Sequence, residues 1–293
     1  VRRCGKSYLL SKLFRDYLLS HGVQNDHIIF LALDDFGNQQ LQNPNELYNF
    51  IKSSIVDDED YFIILDEIQL VDKFEIVVNG FMHIPNADIY ITGSNSKFLS
   101  SDIITEFRGR GDEIRVYPLN FSEFYSIYGG DFDKAWVMYC NFGGMPLCLS
   151  METQEDKAKY LTSLFETTYL ADIIDRNNLR GNAEIGELTD ILASSIGSLT
   201  NPLKLSNTFG SVKNVKLSAN TISAYIGYLQ DAFLVEKAIR YDIKGKKYIN
   251  TPAKYYFVDV GLRNARLAFR QQEYTHIMEN IIYNELRLRG YSV

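Results

Sequence analysis

Two short stretches hold the residue types that phosphoryl chemistry needs. The first is VRRCGKSYLL, in which Gly5, Lys6 and Ser7 stand directly before a leucine-rich run. GKS opening a helix is the back half of a phosphate-binding loop of pattern GxxxxGK[ST], and the spacing places the loop's first glycine just before Val1. Successive backbone N–H groups and a helix dipole favour negative charge at such a turn. Arg3, Cys4, Gly5, Lys6, Ser7 and Tyr8 are therefore the expected cradle for a polyphosphate. Lys6 would reach the outer phosphates, and the Ser7 hydroxyl would ligate magnesium. A chance helix start would look the same in so short a piece.

The second stretch is FIILDEIQ, with Asp66 sixty positions after Lys6. Four apolar residues describe a buried strand that delivers Asp66 at its carboxyl end, where a carboxylate can hold magnesium. Glu67, beside it, can activate the attacking water as a general base. Adjacent acids closing an apolar strand are costly unless a cation or water meets them. A third stretch, IYITGSNS, ends another apolar strand in small polar groups, so that Ser94 or Asn95 would contact the terminal phosphate or the water. Turn chemistry accounts for GSNS nearly as well. In a fourth, EFRGRGDEIRV, Arg108 or Arg110 would stabilise transition-state charge on a nucleotide held by a neighbouring subunit, in a possible homo-oligomer. A solvated arginine near a glycine turn is the competing account.

The elements that must position these groups are legible from periodicity. Leu9, Leu10, Leu13, Phe14, Tyr17 and Leu18 line one face of a helix that begins at the phosphate loop. HIIFLALDD, YFIILDEIQ, ADIYITGSN and DEIRVYPL read as four strands, each separated from the next by room for a helix, which implies a parallel sheet covered on both faces. The strand that normally leads into a phosphate loop is expected before Val1. From Phe121 to Leu199 the pattern is helical, broken by NFGGMPLCL. PLKLSNTFGSV and SANTISAYIGYLQDAFLVEKA then read as helices, and IRYDIKGKKYI and AKYYFVDV as strands around a turn carrying Lys244, Lys246 and Lys247. Helices followed by a basic hairpin suggest a winged helix. MENIIYNELRLRGYSV reads as an amphipathic helix running into a further strand.

The chain has 293 residues and a net charge of -7, unevenly spread. Residues 200–293 carry 14 Lys+Arg against 7 Asp+Glu, leaving 16 against 30 for residues 1–199. An acidic front and a basic back suggest different partners. Lys244, Lys246 and Lys247, with Lys213 and Lys216, would meet duplex phosphates, with SANTISAYIGYL as the groove helix. Tyr225, Tyr228 and Leu229 fit a core-facing stripe equally well. No apolar run approaches the roughly 18 residues of a membrane span, and Cys4, Cys140 and Cys148 form no CxxC pair, so a cytoplasmic protein with reduced thiols is expected.

The order of motifs resembles the AAA-plus ATPases: phosphate loop, DE-ended strand, polar strand, then arginine. More closely, VRRCGKSYLL, FIILDEIQLV, IYITGSNSKFLSS, GRGDEIRVYPLNFSEFY and NFGGMPL resemble a group of bacterial and archaeal ATP-binding proteins, and YYFVDVGLRNA and MENIIYNEL continue the likeness. The resemblance implies an α/β fold of the P-loop NTPase, AAA-plus type: a parallel sheet with flanking helices, a helical lid, a winged helix and the start of a nuclease-like α/β domain. The corresponding divisions are 1–125, 126–199, 200–260 and 261–293. It implies ATP rather than GTP, with Mg2+, and a sheet in which the strand before Val1 is central. It also matches Glu279 to the first acid of the nuclease-like core, whose later positions are expected beyond Val293; a metal-dependent cut needs several carboxylates. Without them, a nuclease is the least favoured function. An ATPase that moves its C-terminal appendage leads, followed by a nucleotide-gated DNA-binding regulator with little turnover.

Overall fold

Phe62, Ile63, Ile64 and Leu65 run unbroken through the middle strand of a parallel sheet, as a strand buried on both faces requires. The computed structural model describes residues 2–93, 107, 110–179, 182–213, 216–239, 252–270 and 273–293, except the side chains of residues 182, 212 and 213. The chain divides into two units, Gly5–Val116 and Val1–Cys4 with Tyr117–Val293.

In the first unit a continuous helix, α1, covers residues 6–20, with the turns Leu9–Phe14 widened to π geometry. It is followed by β1 (Ile28–Ala32), α2 (Pro44–Ser54), β2 (Tyr61–Asp66), α3 (Phe74–Phe81) and β3 (Ala87–Ile91). The order is β1-β2-β3, with Ala32 opposite Asp66 and Leu65 opposite Ile91. Alternate residues serve opposite faces. Ile28, Phe30, Phe62, Ile64 and Tyr90 meet Leu10, Phe14 and Leu18 of α1. Leu31, Ile63, Leu65, Ile89 and Ile91 meet Leu47 and Ile51 of α2 and Phe74, Val78 and Phe81 of α3. Asn43 caps α2 through the N–H groups of Asn45 and Glu46, with Pro44 at its first position.

Two sequence expectations fail at the edges of these elements. DEIRVYPL is not a strand: residues 112–119 pair with no ladder among the described residues. The C-terminal tail ends as a helix, Tyr274–Leu288, stopped at Gly290 with φ 81, and residues 291–293 form no strand.

The second unit is largely helical: α4 (Phe121–Tyr128), α5 (Phe132–Phe142), α6 (Pro146–Leu149), α7 (residues 154–176), α8 (Asn182–Ser194), α9 (residues 202–213) and α10 (Ala219–Asp231). Then come β4 (Val235–Ile239), β5 (Ala253–Phe257), α11 (Val260–Arg266) and α12, the Tyr274–Leu288 helix. β4 and β5 are antiparallel, and Thr200 bridges the other edge of β5 at Ala253. α10 stops earlier than its sequence suggests, because Phe233 takes a left-handed φ of 54 and VEKAI becomes β4. Its buried stripe is Ile222, Ile226 and Leu229, whereas Tyr225 and Tyr228 are half-buried.

The motifs NFGGMPL and VDVGLRNA are two sides of one joint. Asp259, fully buried, accepts hydrogen bonds from Gly144 N at 2.7 Å and from Leu262 N at 2.9 Å, capping α11. Burial pushes its carboxyl up to about 6, a rise that the backbone N–H groups of Gly144, Leu262 and Gly261 limit. Asn264 donates to the carbonyls of Cys140 and Asn141 at the end of α5, both at 2.9 Å. A side chain on Gly144 would overlap the Leu119 carbonyl, and one on Gly261 the Phe142 carbonyl. Gly144→Ala is therefore expected to destabilise this unit by about 3 kcal/mol or more. Gly129→Ala, in open space but at φ 66 and ψ -169 where glycine alone sits comfortably, should cost about 1–3 kcal/mol. Urea unfolding followed by the fluorescence of the single tryptophan, Trp136 on α5, reads both.

Candidate active site

Gly5 stands at the N-cap of α1 with φ 98, in the left-handed region that a glycine enters at little cost. Leu9 N donates to Gly5 O at 2.8 Å, closing the first turn, and no side chain caps it. The first N–H groups of any α-helix have no intrahelical acceptor and point along the axis, which suits an anion. Lys6 begins this helix half-buried; Ser7 and Tyr8 are exposed. Arg3 is exposed with a left-handed φ of 58, and Cys4 is buried.

The direction of α1 follows from what it packs against. Its last turn shares a cluster with Ile28, at the start of β1, and the Phe14 ring lies edge-on 6.5 Å from that of Phe62 and tilted 4.7 Å from that of Tyr90. α1 therefore runs antiparallel to the strands. From Phe14 back to Lys6 is about 12 Å of helix, and from Phe62 on to Asp66 is about 13 Å of strand. Lys6 and Asp66 thus lie toward the same end of the sheet.

At that end Asp66 is buried, only 3% exposed, and accepts a hydrogen bond from the Thr92 hydroxyl. Thr92 follows β3, and its backbone is fixed by donation from its N–H to Leu65 O at 2.9 Å. Glu67 turns the chain out of β2 at φ 55, and Gln69 Nε2 donates to its carboxylate. Ile68 N donates to Thr92 O at 3.0 Å, pinning the turn to the neighbouring strand. The donor set suits magnesium, which prefers one or two oxygen ligands from protein and keeps several waters. Asp66 offers the carboxylate and Ser7 an exposed hydroxyl.

Thr92 was not among the residues singled out from sequence. The signal was the parallel register: Leu65 pairs with Ile91, so the next pair is the acid and the threonine. Ser94, Asn95 and Arg108 lie outside the described residues. Arg110 is exposed, and its guanidinium lies 3.5 Å from the Asn79 side-chain oxygen on α3.

The remaining candidates belong to the second unit. Glu279 on α12 accepts from Lys254 Nζ and from the Tyr256 hydroxyl, each at 2.6 Å. Burial would raise its carboxyl, but the two donors outweigh that and hold it below its ordinary value. Its described surroundings are those of a paired structural acid. Lys216, before α10, is exposed; the side chain of Lys213 and all of Lys244, Lys246 and Lys247 lie outside the description.

Residues 1–125 match a family model described as an AAA domain, and residues 133–273 one described as a domain of unknown function. An uncharacterized protein of Haemophilus influenzae is 38% identical over 300 residues, covering 100% of this chain and 74% of that protein. An uncharacterized protein of Methanocaldococcus jannaschii is 30% identical over 307 residues, covering 99% of this chain and 66% of its own length. Among solved structures, the Aeropyrum pernix ORC2 protein in ADPNP–ADP complexes aligns with a TM-score of 0.44 at 11% identity. The ORC1 protein of the same organism, in complex with DNA, aligns with a TM-score of 0.32 at 12% identity. Each alignment covers 98% of this chain and 86% of the other.

Removing the hydroxyl that meets Asp66 leaves a buried carboxylate short of a donor. Thr92→Val is expected to lower stability by about 1–3 kcal/mol, whereas Thr92→Ser should stay close to wild type. Thermal unfolding by far-UV circular dichroism distinguishes them.

Proposed function

This chain belongs to the family of the Haemophilus influenzae protein and carries an AAA domain over residues 1–125, and we propose that it binds ATP with Mg2+ and hydrolyses it, driving motion of its C-terminal part. The observation that carries this is the shared end of the sheet, toward which the start of α1 and the Asp66–Glu67 turn both lie. Residues Arg3 to Tyr8 would cradle the phosphates, with the Lys6 ammonium on the outer ones. Ser7 and Asp66 would hold the magnesium ion, which supplies charge neutralisation at the phosphate oxygens. Glu67 would take a proton from water as its oxygen bonds to the terminal phosphorus, while the bond from that phosphorus to the bridging oxygen breaks. Ser94 or Asn95 would contact the terminal phosphate. The exposure of Arg110 suits a charge offered, by it or by Arg108, to a nucleotide on a neighbouring copy in a homo-oligomer. The cytoplasm, where ATP and reduced cysteines coexist, is the expected location.

Lys6→Ala is expected to abolish nucleotide binding, measured with a fluorescent ATP analogue. Glu67→Gln should keep that binding and lose steady-state phosphate release by about 100-fold or more. Normal turnover in Glu67→Gln would refute its role as the base.

One observation favours a second reading, a nucleotide-gated DNA-binding protein with little turnover. Thr200, α9, α10 and the β4–β5 hairpin follow in the order of a winged helix, and the segment between the two strands carries Lys244, Lys246 and Lys247. On that reading duplex affinity in filter binding should fall at least about tenfold from 50 to 200 mM salt. A flat salt dependence would favour a protein partner for this region.

A further inference from the structure

Gln69 lies two residues beyond Glu67, in the short turn Ile68–Leu70 that closes β2. Its two amide atoms meet different surroundings. Nε2 donates to Glu67 Oε2. Oε1 is buried with no hydrogen-bond partner among the described residues. A buried carbonyl oxygen without a donor is unfavourable, and native proteins keep few of them.

The turn that holds this amide is over-determined. Besides the Ile68 bond to Thr92 O, Leu70 N donates to Glu67 O at 3.1 Å and Val71 N to Ile68 O at 3.0 Å. Ile68 and Val71 are buried in the apolar cluster beneath the sheet. Glu67 keeps a left-handed φ of 55, which a non-glycine residue holds only where its surroundings fix it. Both Cα positions are thereby set, which places the Gln69 amide within reach of the Glu67 carboxylate. A side-chain amide here can set the plane of the carboxylate on one side and accept one hydrogen bond on the other. Water between that amide and a bound phosphate would supply the missing donor.

We propose that Gln69 is a positioning residue for hydrolysis: its Nε2 orients the Glu67 carboxylate, and its Oε1 accepts a hydrogen bond from the attacking water. The inference rests on Glu67 being the base. During the step one water proton passes to Glu67, and the other stays on the attacking oxygen, directed at Gln69 Oε1. That oxygen bonds to the terminal phosphorus, and the bridging oxygen leaves with the diphosphate.

The test compares wild type, Gln69→Leu, Gln69→Glu and Glu67→Gln, by steady-state phosphate release and equilibrium binding of N-methylanthraniloyl-ATP. Gln69→Leu is expected to lower kcat about 10- to 100-fold and to leave KM and analogue affinity within about twofold. Gln69→Glu, close in shape but without the amide donor, should lower kcat in the same way. If Glu67→Gln is inactive while both Gln69 variants keep wild-type kcat, the Gln69 inference fails and the base assignment stands. Lost analogue binding in Gln69→Leu would mark the residue as structural and also overturn it. Full turnover in Glu67→Gln would remove the base assignment, and the inference with it.

Discussion

A carboxylate at the end of a buried strand is the constraint around which the first unit is arranged. Asp66 closes four apolar residues and is itself nearly inaccessible, a position that is unfavourable for an ionised group unless donors or a cation surround it. Thr92 supplies one donor from the neighbouring strand, and the register that supplies it is the register that packs Leu65 and Ile91 into the core. A one-residue slip of β3 would exchange the faces of its side chains and withdraw the hydroxyl together with the apolar contacts. The site and the core are therefore held by the same pairing. Loss of either has the same structural cause.

The second unit solves a different problem, that of joining a helical region to a small sheet without burying unmet backbone groups. Asp259 and Asn264 do this from two ends of one helix, meeting N–H groups at Gly144 and Leu262 and carbonyls at Cys140 and Asn141. Asn280 reaches across from α12 and forms a two-way pair with the backbone of Phe257, in effect extending the edge of β5 by a side chain. Such satisfied buried polar contacts specify one packing arrangement, because any shift strands several donors at once. The glycine pair in NFGGMPL follows from this: the backbones approach too closely for a side chain.

Much of the first unit was legible in the residues because parallel strands write themselves as apolar runs. HIIFLALDD, YFIILDEIQ and ADIYITGSN became β1, β2 and β3, and the helices between them fall where room was left. DEIRVYPL carries the same composition yet is no strand, since a strand is a property of a pair and composition describes only one partner. VEKA misled for a related reason. It continues a helical pattern, but the left-handed Phe233 interrupts the backbone first, and no composition rule marks a phenylalanine for that conformation. At the candidate site, the acids and the GKS turn were visible as types in order. Thr92 was not, because its role appears only when the register is known, and Gln69 was not, because its partner is the residue two positions earlier in a turn whose geometry the sequence does not state.

The chain passes from one unit to the other between Cys4 and Gly5. Its leading residues are tied down firmly: Arg2 donates to Asp172 at 2.6 Å and lies against the Thr168 carbonyl, and the Tyr169 hydroxyl donates to Arg2 O at 3.1 Å. Asp172 is shared with Arg176, so the approach to the loop belongs to an ion cluster on α7. Its trailing residues start α1, which is packed along the sheet. The residues before Gly5 are thus placed by an ion pair and a tyrosine hydroxyl, and those after it by apolar packing, so substitutions in the two sets act through different interactions.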